Sequence, residues 1–206
     1  MQGSLFGIAC VTASNCYASG DYDNNGAKPL LLHWNGITWA AQASPALPKV
    51  EGVKASGVGL YSIACYGSDC TAAGGAYYWE GTPEASVTTT LVERWNGSAW
   101  SIEKTVNPPG ESAGNDVLYA VRCPSATSCT AAGEYGADAD GSPGLPLIET
   151  WNGSTWSQAT VPDPSHGNGS AFTGLACSTT SCTAVGNQYN DDFNSSLPQG
   201  PLAEHN

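Results

Sequence analysis

Short apolar stretches recur along this chain in a fixed order. Two apolar residues three apart, Leu5/Ile8, Leu60/Ile63, Leu118/Val121 and Phe172/Leu175, each lead into a cysteine: Cys10, Cys65, Cys123 and Cys177. So short an apolar pattern, bounded by turn residues, predicts a strand. After four or five intervening residues a second cysteine follows (Cys16, Cys70, Cys129, Cys182), so the two face each other across a predicted hairpin. Strand two is a run of small residues ending in glycine: Cys16-Tyr-Ala-Ser-Gly20, Cys70-Thr-Ala-Ala-Gly74, Cys129-Thr-Ala-Ala-Gly133 and Cys182-Thr-Ala-Val-Gly186. Alanine and glycine there predict close backbone approach, as near a crowded axis. After a variable loop, strand three is predicted at 30–34, 91–95, 147–151 and 202–205. Asn35-Gly36, Asn96-Gly97 and Asn152-Gly153 then supply tight turns into strand four at Trp39, Trp100 and Trp156. The tryptophans flanking each turn are expected to meet across it.

Proline-bearing connectors, at 45–48, 108–109 and 162–164, carry the chain from one such phrase to the next. The first cysteines recur every 54 to 58 residues. A unit that short cannot bury a core alone and gains stability by stacking on its neighbours. Four antiparallel strands per unit, repeated, predict an all-β fold: a β-propeller array of four-stranded blades in one domain over 1–206. The blades fall at 4–47, 58–109, 116–164 and 170–206. The fourth lacks its final strand, since the chain reaches Asn206 where the next Trp-Asn-Gly would begin. Two readings are open: part of a longer propeller, which is favoured because an unprotected edge is an aggregation hazard, or an edge that pairs with another chain.

The combination apolar-x-x-apolar-x-Cys, Cys-x-Ala-x-Gly and Leu-x-Glu-x-Trp-Asn-Gly-x-x-Trp resembles the tandem repeats of secreted actinobacterial proteins, mostly of unassigned function. The resemblance covers nearly the whole chain and implies a propeller fold and export. It says little about activity. A weaker similarity links Gly-x-x-Trp to the Asp-box turn of sialidase-like propellers, but the Ser-x-Asp lead-in is missing. A sialidase also needs three arginines, and the chain has only Arg94 and Arg122.

Composition narrows the partners. Six Lys plus Arg against 18 Asp plus Glu leave a net charge of -12, which repels phosphate backbones and anionic lipid surfaces, so nucleic acid is not an expected partner. No stretch approaches 18 consecutive apolar residues, and membrane insertion is not expected either. The eight cysteines predict four disulfides, Cys10–Cys16, Cys65–Cys70, Cys123–Cys129 and Cys177–Cys182, and hence a secreted or cell-surface location. No leader is visible at Met1 to Ser4, which a truncated or mature segment would explain. Zinc is disfavoured because His33, His166 and His205 lie far from the cysteine pairs.

Candidate chemistry concentrates in the loops between strands two and three. Tyr22, Tyr77, Tyr78, Trp79, Tyr135 and Tyr189, with Phe193, cluster there beside acidic and amide residues, the makings of a sugar-binding surface. The alternative is that one tyrosine per loop packs over the blade edge. Asp21, Asp23 and Asn25, followed by Gly26, fit the first half of a calcium loop, with Leu32 in place of the closing acid. Asp138 and Asp140 repeat part of the phrase, and Asn190, Asp192 and Asn194 echo it; a solvated acidic turn is the favoured reading of all three, because half a loop lacks the ligand count. Calcium is the one cofactor these residues suggest. Glu93, Glu149 and Glu204 share one position of strand three. As acid and base of a glycosidase they would need to converge, whereas equivalent positions of different blades disperse around a ring and fit bonds to the neighbouring blade. No Ser-His-Asp arrangement is recognisable. The expected function is a non-enzymatic extracellular binding or scaffold module for carbohydrate or protein. The alternative is a piece of a propeller glycoside hydrolase or lyase whose catalytic residues lie outside this chain.

Overall fold

The structure, a computed structural model, describes residues 2–23, 26–50, 52–79, 86–106, 115–137, 144–161, 169–188 and 201–205. Fifteen strands and no helix are present among them. The first antiparallel sheet is β1 (Gly3–Thr12), β2 (Asn15–Asp23), β3 (Ala27–Trp34) and β4 (Trp39–Gln42), paired in chain order. The second is β5 (Gly57–Tyr66), β6 (Asp69–Tyr78), β7 (Val87–Trp95) and β8 (Trp100–Glu103). The third is β9 (Asn115–Ser125), β10 (Ser128–Ala137), β11 (Leu145–Trp151) and β12 (Trp156–Gln158), bridged to the second at the single parallel pair Thr88 and Asn115. The fourth has β13 (Ser170–Cys177), β14 (Cys182–Gln188) and β15 (Pro201–His205).

The repeated phrase explains each blade. All four cysteine pairs are bonded as expected, with Cα atoms 4.0 Å apart, which pins the β1–β2 hairpin and its counterparts. At the other end Gly36, Gly97 and Gly153 take φ of 93°, 93° and 97°, and Asn35, Asn96 and Asn152 each accept two backbone N–H bonds through Oδ1. Tryptophans pair across these turns with ring centres 5.7, 5.7 and 5.8 Å apart.

The glycine that closes strand two has a local cause. Strand one of every blade carries a bulge, and Gly20, Gly74, Gly133 and Gly186 face it. A Cβ at any of them would overlap the carbonyl oxygen of Ser4, Gly59, Val117 or Ala171. The close approach expected at the axis is therefore made within each blade.

Blades stack face to face. The leading face of the second blade, with Leu60, Ile63, Cys70, Ala72, Leu91 and Trp100, packs on Tyr17 and Leu31 of the first. The third presents Leu118, Val121, Cys129, Leu147 and Trp156 to Ala64, Ala73 and Val92 of the second. The fourth presents Phe172, Leu175 and Cys182 to Ala120, Ala132 and Ile148 of the third. Leu60, Leu118 and Phe172 are 0% exposed, each burial contributing about 2–3 kcal/mol. The first strands of successive blades lie side by side, and their rings Phe6, Tyr61 and Tyr119 follow one another at 5.4 and 5.7 Å.

Candidate functional site

At the end of the array where strand two turns into strand three, three depressions run into one another. The outermost, a cavity of ≈ 990 Å³, lies between the first blade and the connector that leaves it. Tyr22, Lys28, Leu31, Leu47, Lys49 and Lys54 are among its walls. It shares Gln2, Gly3 and Ala27 with a second depression of ≈ 640 Å³ that holds Asp21 and Asp23. That one shares Asp21 and Ala27 with a third, of ≈ 420 Å³, lined by Tyr61, Tyr77, Asn115, Tyr119 and Glu134 from the second and third blades.

The groove changes sign along its length. No carboxylate lines the outer cavity among the described residues, although three of the chain's six cations do. At the inner end the charges are acidic and partly withdrawn from water. Burial raises Glu134 above the usual carboxylate range, offset in part by the Tyr119 hydroxyl that donates to Oε1 at 2.7 Å. Asp116, which does not line the groove, is likewise raised by burial, offset in part by the Gly136 N–H donated to its Oδ1 at 3.0 Å. The Tyr61 phenol is raised by burial first and by the negative charge of Asp21 second. Tyr77 donates to Ser86 Oγ at 3.0 Å, and Thr88 to Asn115 Oδ1 at 2.9 Å, which hold this rim in shape. Ring faces, acceptors and amides drawn from three blades suit a hydroxyl-rich ligand.

The aromatic residues expected to bind ligand divide. Tyr22 and Tyr77 line the groove, and Trp79 is 54% exposed beside it in sequence. Tyr78 is turned into the core at 2% exposure, its hydroxyl donating to the Pro48 carbonyl at 3.1 Å, and so leaves the binding set. Strand alternation is the reason: with Tyr77 facing the groove, Tyr78 must face the neighbouring blade. Tyr135 is half-buried against the core between the second and third blades. Tyr189 and Phe193 lie outside the described residues, as do Asn25, Asp138, Asp140, Asn190, Asp192 and Asn194 of the calcium reading. Asp23 Oδ1 accepts the Gly26 N–H at 3.3 Å, an ordinary turn bond. Among the described residues no group of three or more His, Cys, Asp and Glu is arranged to hold a metal ion.

The strand-three glutamates do not converge. Glu93 and Glu149 are both 0% exposed, each inside a junction between blades. Glu93 Oε1 accepts the Ser44 hydroxyl at 2.9 Å, and Glu149 Oε2 accepts the Val106 N–H at 3.3 Å. Both donors belong to the connector arriving from the preceding blade. Desolvation raises both carboxyls to about 7, opposed by those same hydrogen bonds. Glu204 is half-buried at the equivalent place, in a small cavity with Thr160 and Val161 of the third blade's connector. Arg94, on the opposite face of its strand, donates to the Ala126 carbonyl at 2.7 Å, lies 3.6 Å from Asp69 and covers the Trp151 ring at 5.0 Å. His33 stacks on Tyr17 and bonds Asn15.

Tyr61, Tyr119, Asn115 and Glu134 were not anticipated. The first two had a signal: Leu5-Phe6, Leu60-Tyr61 and Leu118-Tyr119 place an aromatic residue after the first leucine of three strands.

No family model matches the chain, and no curated protein does. Solved structures do. A sucrose-bound mutant of the Bombyx mori GH32 beta-fructofuranosidase BmSUC1 aligns over 97% of this chain at TM-score 0.52 and 11% identity. The same enzyme without the mutation gives 0.52 and 10%, and YCF48 bound to D1 peptide gives 0.50 and 11% over 98% of this chain. The chain is a β-propeller. It spans about half the length of these proteins, 45% of the fructofuranosidase and 54% of YCF48, and at such identity the likeness concerns the fold. The propeller's groove gathers residues from successive blades at one end of the shared axis, which no single blade can do.

Proposed function

We propose that this chain is a non-enzymatic binding propeller that takes a carbohydrate in the rim groove, in the oxidising space outside the cell that its four disulfides fit. The resemblance of its repeats to secreted actinobacterial proteins points the same way. One observation carries the reading: Asp21, Tyr61, Tyr77, Tyr119 and Glu134, from three blades, line one open depression. Tyrosine faces supply stacking, and the carboxylates accept hydroxyl hydrogens in a site partly shielded from water. The three lysines of the outer cavity favour a sugar chain that carries negative charge at that end. Among the fold's solved neighbours one holds sucrose and one holds a peptide, both chemistries that propellers accommodate.

Screening on immobilised neutral and uronate-containing glycans, followed by titration calorimetry of any that bind, tests the proposal. Tyr61→Ala should weaken binding about tenfold, the loss of one stacking contact of roughly 1–1.5 kcal/mol. Retention unchanged in both Tyr61→Ala and Tyr77→Ala would remove the groove from consideration. A second reading, glycoside hydrolysis, is favoured by Glu134, a carboxyl raised by burial that lines the inner depression together with Asp21. Release of reducing sugar that Glu134→Gln abolishes would establish it, and its absence on glycans that bind would retire it.

A further inference from the structure

The inner depression of the groove carries charge that the protein does not balance. Its lining residues fall between positions 21 and 134, well inside the chain, and include Asp21 and Glu134 but no lysine, arginine or histidine. The one ion pair among the described residues, Arg94 with Asp69, involves neither of them. Glu134 Oε1 accepts the Tyr119 hydroxyl, whereas Glu134 Oε2 and the Asp21 carboxylate have no hydrogen-bond partner among the described residues. Two half-buried acids therefore face the same space with no counter-charge.

Three tyrosines share those walls. Tyr61 and Tyr119 stand with ring centres 5.7 Å apart and planes tilted by 46°, and Tyr77 lies on the strand paired with that of Tyr61. A ring face attracts a cation, and nearby carboxylates add to the pull. The kind of cation follows from the chemistry of the walls. A hard metal ion takes roughly six to eight oxygen ligands, more than two acids set among ring faces supply. An ammonium group needs only three acceptors and tolerates ring faces, and Glu134 Oε2, Asp21 and the Asn115 side chain offer oxygens on the same walls. The outer cavity, with Lys28, Lys49 and Lys54 and no carboxylate among the described residues, repels the same group. A cationic end is thus turned inward along the groove.

We propose that the inner depression takes the ammonium group of an amino sugar, so that the carbohydrate held by this groove carries a free amine at its inner end. The inference rests on the carbohydrate reading of the groove and narrows it. N-acetylation, which removes the charge and adds bulk, is then selected against.

Titration calorimetry of the whole chain with a glucosamine oligomer, at a pH where its amine is charged, and with the N-acetylated oligomer of equal length tests this. The glucosamine oligomer should bind at least about tenfold tighter, as one added charge-assisted contact allows. Glu134→Gln, which keeps the shape and still accepts from Tyr119, and Asp21→Asn should each lower that ratio at least about fivefold. Glu103→Gln removes the same charge from a strand outside the groove and should leave the ratio as it was, which separates the depression from the general pull of a net charge of -12. Circular dichroism checks that the variants fold. Neutral glycans that bind while the amine brings no preference would overturn the inference and leave the groove a carbohydrate site. So would a ratio that falls as far in Glu103→Gln as in Glu134→Gln. Capture of a lysine-bearing peptide by a chain that takes no glycan would overturn the amino sugar and the carbohydrate reading together.

Discussion

Replacing Glu93 with glutamine separates the charge of that side chain from its shape. Glu93 is fully buried, accepts one hydrogen bond from Ser44 and leaves Oε2 without a partner. Burial lifts its carboxyl from 4.5 to about 7. An acid whose value is raised on folding holds its proton more tightly in the folded chain than in the unfolded one. Its contribution to stability is therefore complete below about 4.5 and is lost as pH climbs through about 7. At 1.36 kcal/mol per pH unit, that interval of about 2.5 units corresponds to about 3 kcal/mol. Glutamine is neutral throughout and still accepts from Ser44, though its amide puts an unmatched donor where Oε2 was, a pH-independent cost of about 1–3 kcal/mol. Between about pH 5 and pH 8 the difference in unfolding free energy should therefore move by about 3 kcal/mol in favour of Glu93→Gln. Urea unfolding read by tryptophan fluorescence at several pH values measures it, and Glu149→Gln should show the same shift. A difference constant to within about 0.5 kcal/mol across that range would refute the reasoning, because the carboxyl would then titrate as it does in the unfolded chain.

Four further outcomes follow from the geometry. Gly74→Ala should cost about 3 kcal/mol, because the new methyl would meet the Gly59 carbonyl oxygen; Gly67→Ala, at φ 60° in open space, should cost only about 1 kcal/mol, and equal losses in chemical denaturation would deny the bulge its role. Exchanging both Cys10 and Cys16 for alanine opens a ring only six residues round and should lower stability by about 2 kcal/mol, with blade-specific amide exchange showing the loss concentrated in β1 and β2. Melting with calcium or with a chelator should give the same temperature; a rise of about 5 °C or more, the mark of a site saturated a hundredfold, would revive the Asp21 and Asp23 loop as a metal site. Lys28→Glu should weaken any acidic glycan and flatten its salt dependence while leaving neutral glycans unaffected, as calorimetry at two ionic strengths would show.

How much was legible in the chain depends on the range of the contact concerned. Cysteine spacing, Asn-Gly turns and apolar pairs are local signals, each deciding one hairpin, and together they specified blades whose strands fall where expected. The glycine of Cys-x-Ala-x-Gly was also visible, but its cause was not: the bulge that confronts it lies on the other strand, beyond any spacing rule. Tyr77 and Tyr78 are adjacent in a loop-like sequence, and only a strand that runs on to Tyr78 sends one to the groove and the other to the core. The groove itself is assembled across blades, so Tyr61, Tyr119 and Glu134 become neighbours through ring geometry that no single repeat encodes.

Position 32 shows how a repeat carries information where it breaks. A phrase present in every blade specifies the blade and cannot mark a unique site, so departures from it carry the individuality of the chain. Glu93 and Glu149 each need a donor on the incoming connector, since a buried carboxyl without one costs more than an apolar residue of similar size. At the same register position the first blade carries Leu32, half-buried opposite Ala18, with no carboxyl to satisfy. Leu32→Glu tests that logic directly. The half-exposed carboxylate would change stability by less than about 0.5 kcal/mol, as surface substitutions do. Ser44→Ala, which takes the donor away from buried Glu93, should instead cost about 1–3 kcal/mol in urea unfolding, more above pH 7 than at pH 5, where the carboxyl keeps its proton. Equal, pH-independent losses in the two variants would mean that the connector's hydroxyl does nothing for the buried carboxyl.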